Sequence, residues 1–166
     1  MIRHAKALER EEWQKQSKID DERPLSSEGI EEFTRVVAAL SVLVPTLDSI
    51  YTSPLKRTLQ TANLVQKSYS QLKVTPTNVL LQGTPWKEVQ GFLSKQEWGK
   101  DQVNAIVGHE NHFSNILGNL IKCTNEEAIR FKKGGIALVD LGQMEGVVTG
   151  KLIWFMPPKV ILKLGK

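Results

Sequence analysis

Only one cysteine, Cys123, occurs in the 166 residues, which excludes an intramolecular disulfide framework and a cysteine metal pair and points to a reducing compartment. Cys123 closes the apolar-periodic run Leu120-Ile121-Lys122-Cys123. It is expected there as a buried structural residue rather than as a catalytic thiol. No run of eighteen apolar residues is present, so no membrane span is expected. No charged, apolar, small-residue leader precedes Arg3, so no secretion signal is expected and the expected location is the cytoplasm. Internal repeats, low-complexity tracts, linkers and stretches of disordered composition are missing too. There is no His-Glu-x-x-His pattern, and zinc binding by His109 and His112 lacks a third ligand at a suitable spacing. No metal or other cofactor is expected.

What the chain does contain is ordinary globular composition, 40% apolar and 24% charged. That suits one domain over residues 1–166, long enough to bury most of an α/β core. The net charge of +4 comes from lysines and arginines that are spread rather than clustered with aromatics, so no nucleic-acid partner is expected. An anionic substrate pocket accounts for part of the excess.

Ile2-Arg3-His4-Ala5 reads as the C-terminal end of a buried strand, the place where ligands sit in open α/β sheets. Met1-Ile2 is short for a strand of about five or six residues, so the first strand is expected to be truncated before Met1. A polar segment follows, with one turn of helix expected around Glu9 to Lys15. Ser26 or Ser27 can cap a helix whose Ile30, Phe33, Val36, Val37 and Leu40 share one face, ended by Pro45. Ser49 to Thr52 reads as a buried strand. Ser53-Pro54 is then expected as N-cap and first helical residue, which places Arg57 in the first turn, where the helix dipole and free amides favour an anion. Val74 to Leu81 is expected as a strand weakened by Pro76, and Thr84-Pro85 as the cap of a helix carrying Val89, Phe92 and Leu93. Val103 to Val107 makes a strand, Gly108 turns, and His109 opens a helix striped by Phe113, Ile116, Leu117, Leu120 and Ile121. Ile136 to Leu141 and Leu152 to Met156, separated by Gly142 to Gly150, read as a hairpin. Strands alternating with helices, closed by a hairpin, predict a three-layer α/β/α sandwich around a mostly parallel sheet.

Arg3-His4, the Ser53-Pro54-Leu55-Lys56-Arg57 corner and Gly108-His109 all fall at predicted strand ends or the helix starts just after them. Such corners are neighbours in a doubly wound sheet, so two arginines and two histidines can converge. Arginine offers a fork of donors matching a phosphoryl group, and histidine an imidazole that can act as nucleophile. In these three motifs the sequence resembles the histidine phosphatase superfamily, which includes the phosphoglycerate mutases and is marked by an Arg-His-Gly start, a Ser-Pro-x-x-Arg corner and a later Gly-His. Within it, the short chain resembles the small phosphohistidine phosphatase branch of the SixA type. Arg23-Pro24-Leu25-Ser26-Ser27-Glu28-Gly29 is similar to that branch's Arg-Pro-Leu-Thr/Ser-x-x-Gly segment. Thr52-Ser53-Pro54 with Arg57 and Gln60-Thr61-Ala62 is similar to the next segment, and Ile136-Ala137 with Trp154 to Pro157 to the closing hairpin.

The resemblance implies a phosphoglycerate mutase-like fold and a phosphatase with His4 as nucleophile. Arg3, Arg57 and a protonated His109 would bind the phosphoryl oxygens, Arg23 would lie at the pocket rim, and no metal would be needed. The long insertion that caps larger members has no counterpart between Leu81 and Val103. That implies an open pocket suited to a phosphorylated histidine-containing protein domain, with inorganic phosphate as product. Ala5 stands where many relatives have glycine. Where mutases and broad phosphatases carry an acid glutamate, the alignment places Gln82, with Glu88 as a stand-in, and glutamine cannot protonate an alkoxide. A small phosphate ester as substrate, or a phosphate-binding domain without turnover, are the alternatives. Other readings are structural. Arg23 can pair with Asp20, Asp21 or Glu22, and His112 is expected at the surface or pocket rim. Trp86 and Trp98 are expected in packing, Trp154 in the core, and Lys132-Lys133 in a solvated turn.

Overall fold

The structure is a computed structural model, and it describes all residues except 17, 18, 70, 71, 97, 98, 100, 124, 126, 127, 145 and 166. Trp98 lies outside the described residues. The strands are β1 (Ile2–Arg3), β2 (Ser49–Thr52), β3 (Val74–Pro76), β4 (Asn104–Gly108), β5 (Ile136–Met144) and β6 (Val147–Met156). They form one sheet in the order β3-β2-β4-β1-β5-β6. β1, β2, β3 and β4 pair in parallel, while β5 pairs antiparallel with β1 and with β6.

The helices are α1 (Arg10–Gln14), α2 (Ser27–Leu43), α3 (Lys56–Ser68), α4 (Trp86–Lys95), α5 (Glu110–Leu120) and α6 (Pro158–Leu164). β4 shows why two helical layers form. Its side chains alternate across the sheet, so Ala105 and Val107 join a core with Phe33, Val36, Ala62, Val65 and Ile161 from α2, α3 and α6. Ile106 joins a second core with Val89, Leu93, Phe113, Ile116 and Leu117 from α4 and α5. This is the expected three-layer α/β/α sandwich.

The ends of the elements depart from the sequence reading in physically specific ways. Ser26 does cap α2, its hydroxyl accepting from Gly29 N at 3.0 Å, but Ile30 of the expected stripe is 38% exposed. α2 stops at Leu43, and Val44 before Pro45 leaves helical geometry, as a residue ahead of proline tends to. α3 begins at Lys56 rather than at Pro54, because Leu55 is still extended. The Thr58 hydroxyl satisfies the carbonyls of Ser53 and Leu55 at 2.8 and 2.7 Å, and Ser53 is left to bond elsewhere.

The strand expected to reach Leu81 ends at Pro76 on the sheet edge, where a missing N–H is tolerated. A single 3-10 turn over Asn78–Leu80 replaces its second half. Thr84 does not cap α4; its hydroxyl donates to Leu81 O at 3.0 Å in the preceding turn. The hairpin strands run further than expected, up to Met144 and from Val147, so most of Gly142 to Gly150 is strand. Cys123 lies beyond the end of α5 and is half-buried rather than buried. Trp86 and Trp154 are half-buried against the second and first cores respectively. Among the described residues no helix is long and apolar enough to cross a membrane.

Candidate functional site

The C-terminal ends of β1, β2 and β4 meet at one place, and each carries one of the three motifs. His4 follows β1, with its N–H donating to Gly108 O at 2.9 Å and its carbonyl accepting from Gly134 N at 3.0 Å. Both flanks of the backbone are therefore fixed. The His4 Nδ1 lies 2.7 Å from Ala5 O. A carbonyl can only accept, so Nδ1 carries the proton and Nε2 keeps its lone pair. Ala5 is itself anchored, its N–H donating to Thr61 Oγ1 at 3.1 Å on α3. Burial, with cationic Arg57, Arg3 and Arg23 nearby, pushes the His4 pKa down to about 3 against the opposing Ala5 hydrogen bond. The imidazole is neutral at physiological pH, the state a nucleophile requires.

His109 ends β4 and precedes α5. Its Nε2 is 2.9 Å from Ser53 Oγ, which is why Ser53 is unavailable to cap α3. Its ring meets that of His4 edge-on with centroids 5.4 Å apart. Burial, then His4 and Arg57, lower its pKa to about 3. Burial thus favours the neutral His109 ring, whereas the resemblance implied a protonated donor to the phosphoryl group.

The arginines are held by different partners. Arg57 is 2% exposed; its Nη1 donates to Asp20 O at 2.9 Å and is 3.4 Å from Asp20 Oδ2. Arg3 Nη1 donates to Phe131 O and lies 3.3 Å from Glu110 Oε2. Arg23 combines both roles weighed for it. It pairs with Asp20, Nε to Oδ1 at 2.8 Å, and its Nη1 reaches Leu8 O at 2.7 Å, yet it also lines the cleft. Arg10 approaches the same carboxylate at 3.2 Å. Three guanidinium groups thus surround Asp20, and hydrogen bonds to Arg23 and Arg10 outweigh partial burial and hold its carboxyl below the usual range.

Arg3, His4, Arg23, Arg57 and His109 line a single open cleft of about 210 Å³, together with Glu9, Arg10, Gln82, Glu110 and Lys133. All five expected site residues are therefore brought together. Gln82 is in the wall and Glu88 is not. Lys133, expected in a solvated turn, lines the cleft 3.9 Å from Glu9. His112 is neither surface nor rim: it is 5% exposed, and its Nε2 donates to Val79 O at 3.1 Å, tying α5 to the 3-10 turn.

Asp20 and Glu110 were not singled out from the sequence as parts of the site. Glu110 had a visible signal, an acid in the first helical turn directly after His109. Asp20 had only its place three residues before Arg23. A larger cavity of about 620 Å³ lies at the opposite strand ends, by Asn104, Leu93 and Leu138, and no histidine or arginine lines it. Among the described residues no group of three or more His, Cys, Asp or Glu side chains converges as a metal site. The arrangement presents an imidazole lone pair beside converging positive charge, which is what binding and attacking an oxyanion requires.

Comparison with known proteins gives the arrangement a context. Residues 1–82 match the family model described as Histidine phosphatase superfamily (branch 1). No curated protein sequence matches the chain. In solved structures, the chain is similar to the protein histidine phosphatase SixA complexed with tungstate, at 20% identity over 96% of each chain and a TM-score of 0.79. It is also similar to a candidate phosphohistidine phosphatase SixA from Agrobacterium tumefaciens, with 21% identity over 95% of each chain and a TM-score of 0.75. A mycobacterial glucosyl-3-phosphoglycerate phosphatase complexed with VO3 shares the fold at 17% identity, 95% and 97% coverage and a TM-score of 0.66.

Proposed function

We propose, from the match of residues 1–82 to the model of the histidine phosphatase superfamily (branch 1), that this chain is a phosphohistidine phosphatase acting on histidine-phosphorylated signalling domains of the cytoplasm. The observation that carries the reading is the fixed tautomer of His4. With Nδ1–H held by Ala5 O, the Nε2 lone pair attacks phosphorus and the phosphoryl group passes to His4. Because the proton never leaves Nδ1, the phosphorylated ring later departs as neutral imidazole when water attacks. That second step needs no acid from the protein.

Arg3 and Arg57 bind the phosphoryl oxygens, with Arg23 at the edge of the cleft and an N–H of His109 as further donor. Positioning and positive charge supply most of what phosphoryl transfer requires, and the proposed steps use no metal. The substrate class rests on two features. The wall residue facing an ester leaving group would be Gln82, which cannot protonate an alkoxide, whereas a phosphohistidine ring protonated on its second nitrogen leaves as neutral imidazole with no acid from the protein. Among the described residues no inserted subdomain covers the cleft between α4 and β4, leaving room for a protein surface.

Rapid acid-free quenching during turnover of a phosphorylated phosphotransfer domain should trap phosphate on the enzyme as acid-labile, alkali-stable phosphohistidine at His4. Arg57→Ala should lower kcat/KM by about 10² to 10³, as loss of one charged donor to a transition-state oxyanion does. Turnover without label at His4 would refute the mechanism.

A further inference from the structure

Ser53 does not line the cleft, yet its hydroxyl decides what His109 presents there. The residue follows β2 and is 0% exposed. Its backbone is fixed on both sides. The N–H donates to Val107 O at 3.0 Å, and the carbonyl accepts from the hydroxyls of Thr52 and Thr58 at 3.1 and 2.8 Å. Its Oγ lies 2.9 Å from His109 Nε2 and has no other hydrogen-bond partner among the described residues. A hydroxyl and an imidazole nitrogen at that distance share one proton, which either can supply.

The two directions are not equivalent. If Nε2–H donated to Oγ, the buried Ser53 O–H would be left without an acceptor, which native structures rarely tolerate. His109 Nδ1 would then turn a lone pair toward phosphoryl oxygens and repel them. If the hydroxyl donates to Nε2, its O–H is satisfied and the ring's proton sits on Nδ1. That nitrogen has no hydrogen-bond partner among the described residues and is not sealed from solvent, and the ring lines the cleft. Resting on the phosphatase reading above, we propose that Ser53 is a positioning residue that makes a neutral His109 a fixed donor. Its hydroxyl holds the Nε2 lone pair, so that Nδ1–H faces the phosphoryl oxygens. The partner of one ring nitrogen sets the state of the other. At His4 a carbonyl takes Nδ1–H and leaves a lone pair to attack; at His109 a hydroxyl takes the lone pair and leaves an N–H to bind. The His109 proton stays in place through both transfer steps.

The test is nitrogen-15 NMR of the imidazoles, which reads the ring nitrogen that carries the proton. With only three histidines in the chain, each signal is assigned by removing one residue at a time. Wild type without ligand should show His109 as the single Nδ1–H form at neutral pH. Ser53→Ala should show both tautomers, and orthophosphate should bind it more weakly by the inverse of the remaining Nδ1–H fraction. A fraction of about one in five predicts about fivefold weaker binding and a similar fall in kcat/KM. Ser53→Thr, which keeps the hydroxyl, should restore the single tautomer. Should the added methyl unfold that variant, the pair His109→Ala and Ser53→Ala/His109→Ala decides instead. Loss of the hydroxyl should weaken orthophosphate no further once His109 is gone. The proposal is overturned by a wild-type His109 protonated on Nε2 alone or on both nitrogens. Weaker orthophosphate binding in Ser53→Ala with an unchanged tautomer also overturns it, since that marks a packing role, as do unchanged binding and additive losses in the double variant. The spectra use no substrate. A wild type that hydrolyses para-nitrophenyl phosphate and spares phosphohistidine therefore ends the phosphohistidine reading separately.

Discussion

At the scale of single residues, the site holds two imidazoles against their ordinary protonation. His4 and His109 sit at about 3 in the folded protein, while an unfolded histidine titrates near 6.5. Between these values the unfolded chain binds more protons than the folded one, so stability rises with pH through this window and falls on acidification. The lowered His112 acts in the same direction. Cooling no other variable, thermal melts between pH 7 and pH 5, above most carboxylate titration, should show Tm falling toward acid. The double variant His4→Ala/His109→Asn should lose part of that slope. Parallel slopes in wild type and variant would show that the pair is not neutral in the fold. The two histidines titrate as a coupled pair, so the double variant is the cleaner comparison.

At the scale of elements, the start of α2 clamps the segment that follows the nucleophile. Ser26 N donates to Lys6 O at 3.0 Å, and a Cβ built on Gly29 would lie 2.0 Å from that same carbonyl. Helix and loop touch backbone to backbone there, two residues from His4. Gly29→Ala should therefore push Lys6 and Ala5 outward, costing about 1–3 kcal/mol of stability as overpacking does. Activity should fall by more than the unfolded fraction explains. Denaturant melts beside specific activity check this, and an unaltered melt would contradict the clamp. The helical stripe of α2 and the alternation of β4 were legible in the sequence because each buries one face against a core, and that burial imposes its period. The termini were less legible. Ser53 and Thr84 carry ordinary capping chemistry, but other partners claimed them, His109 across the fold in one case and Leu81 O of the preceding turn in the other.

At the scale of the whole molecule, the cleft joins segments distant in sequence, from β1 through Asp20, α3 and β4 to α5. The unfolded chain has no such site. An oxyanion such as tungstate, or VO3, should bind the folded form only. At one hundred times its dissociation constant it should stabilise by about 2.7 kcal/mol, a Tm rise of about 5–10 °C for a chain of this size. Arg57→Ala should abolish most of that rise, and an equal rise in the variant would place the anion elsewhere. The convergence of Arg3, His4, Arg57 and His109 was readable because each follows a strand end in a sheet of known handedness. The Asp20 and Glu110 carboxylates were harder to see. Their importance comes from the guanidinium groups they meet across the fold, and single-sequence spacing carries no record of those meetings.

The central claim is that His4 removes phosphate from histidine-phosphorylated protein. Its most direct test is phosphate release from a phosphorylated histidine phosphotransfer domain beside para-nitrophenyl phosphate, with wild type and folded His4→Ala. The account predicts preferential release from the phosphoprotein that vanishes in the variant. Hydrolysis of the ester alone, or turnover that survives the loss of His4, would contradict it.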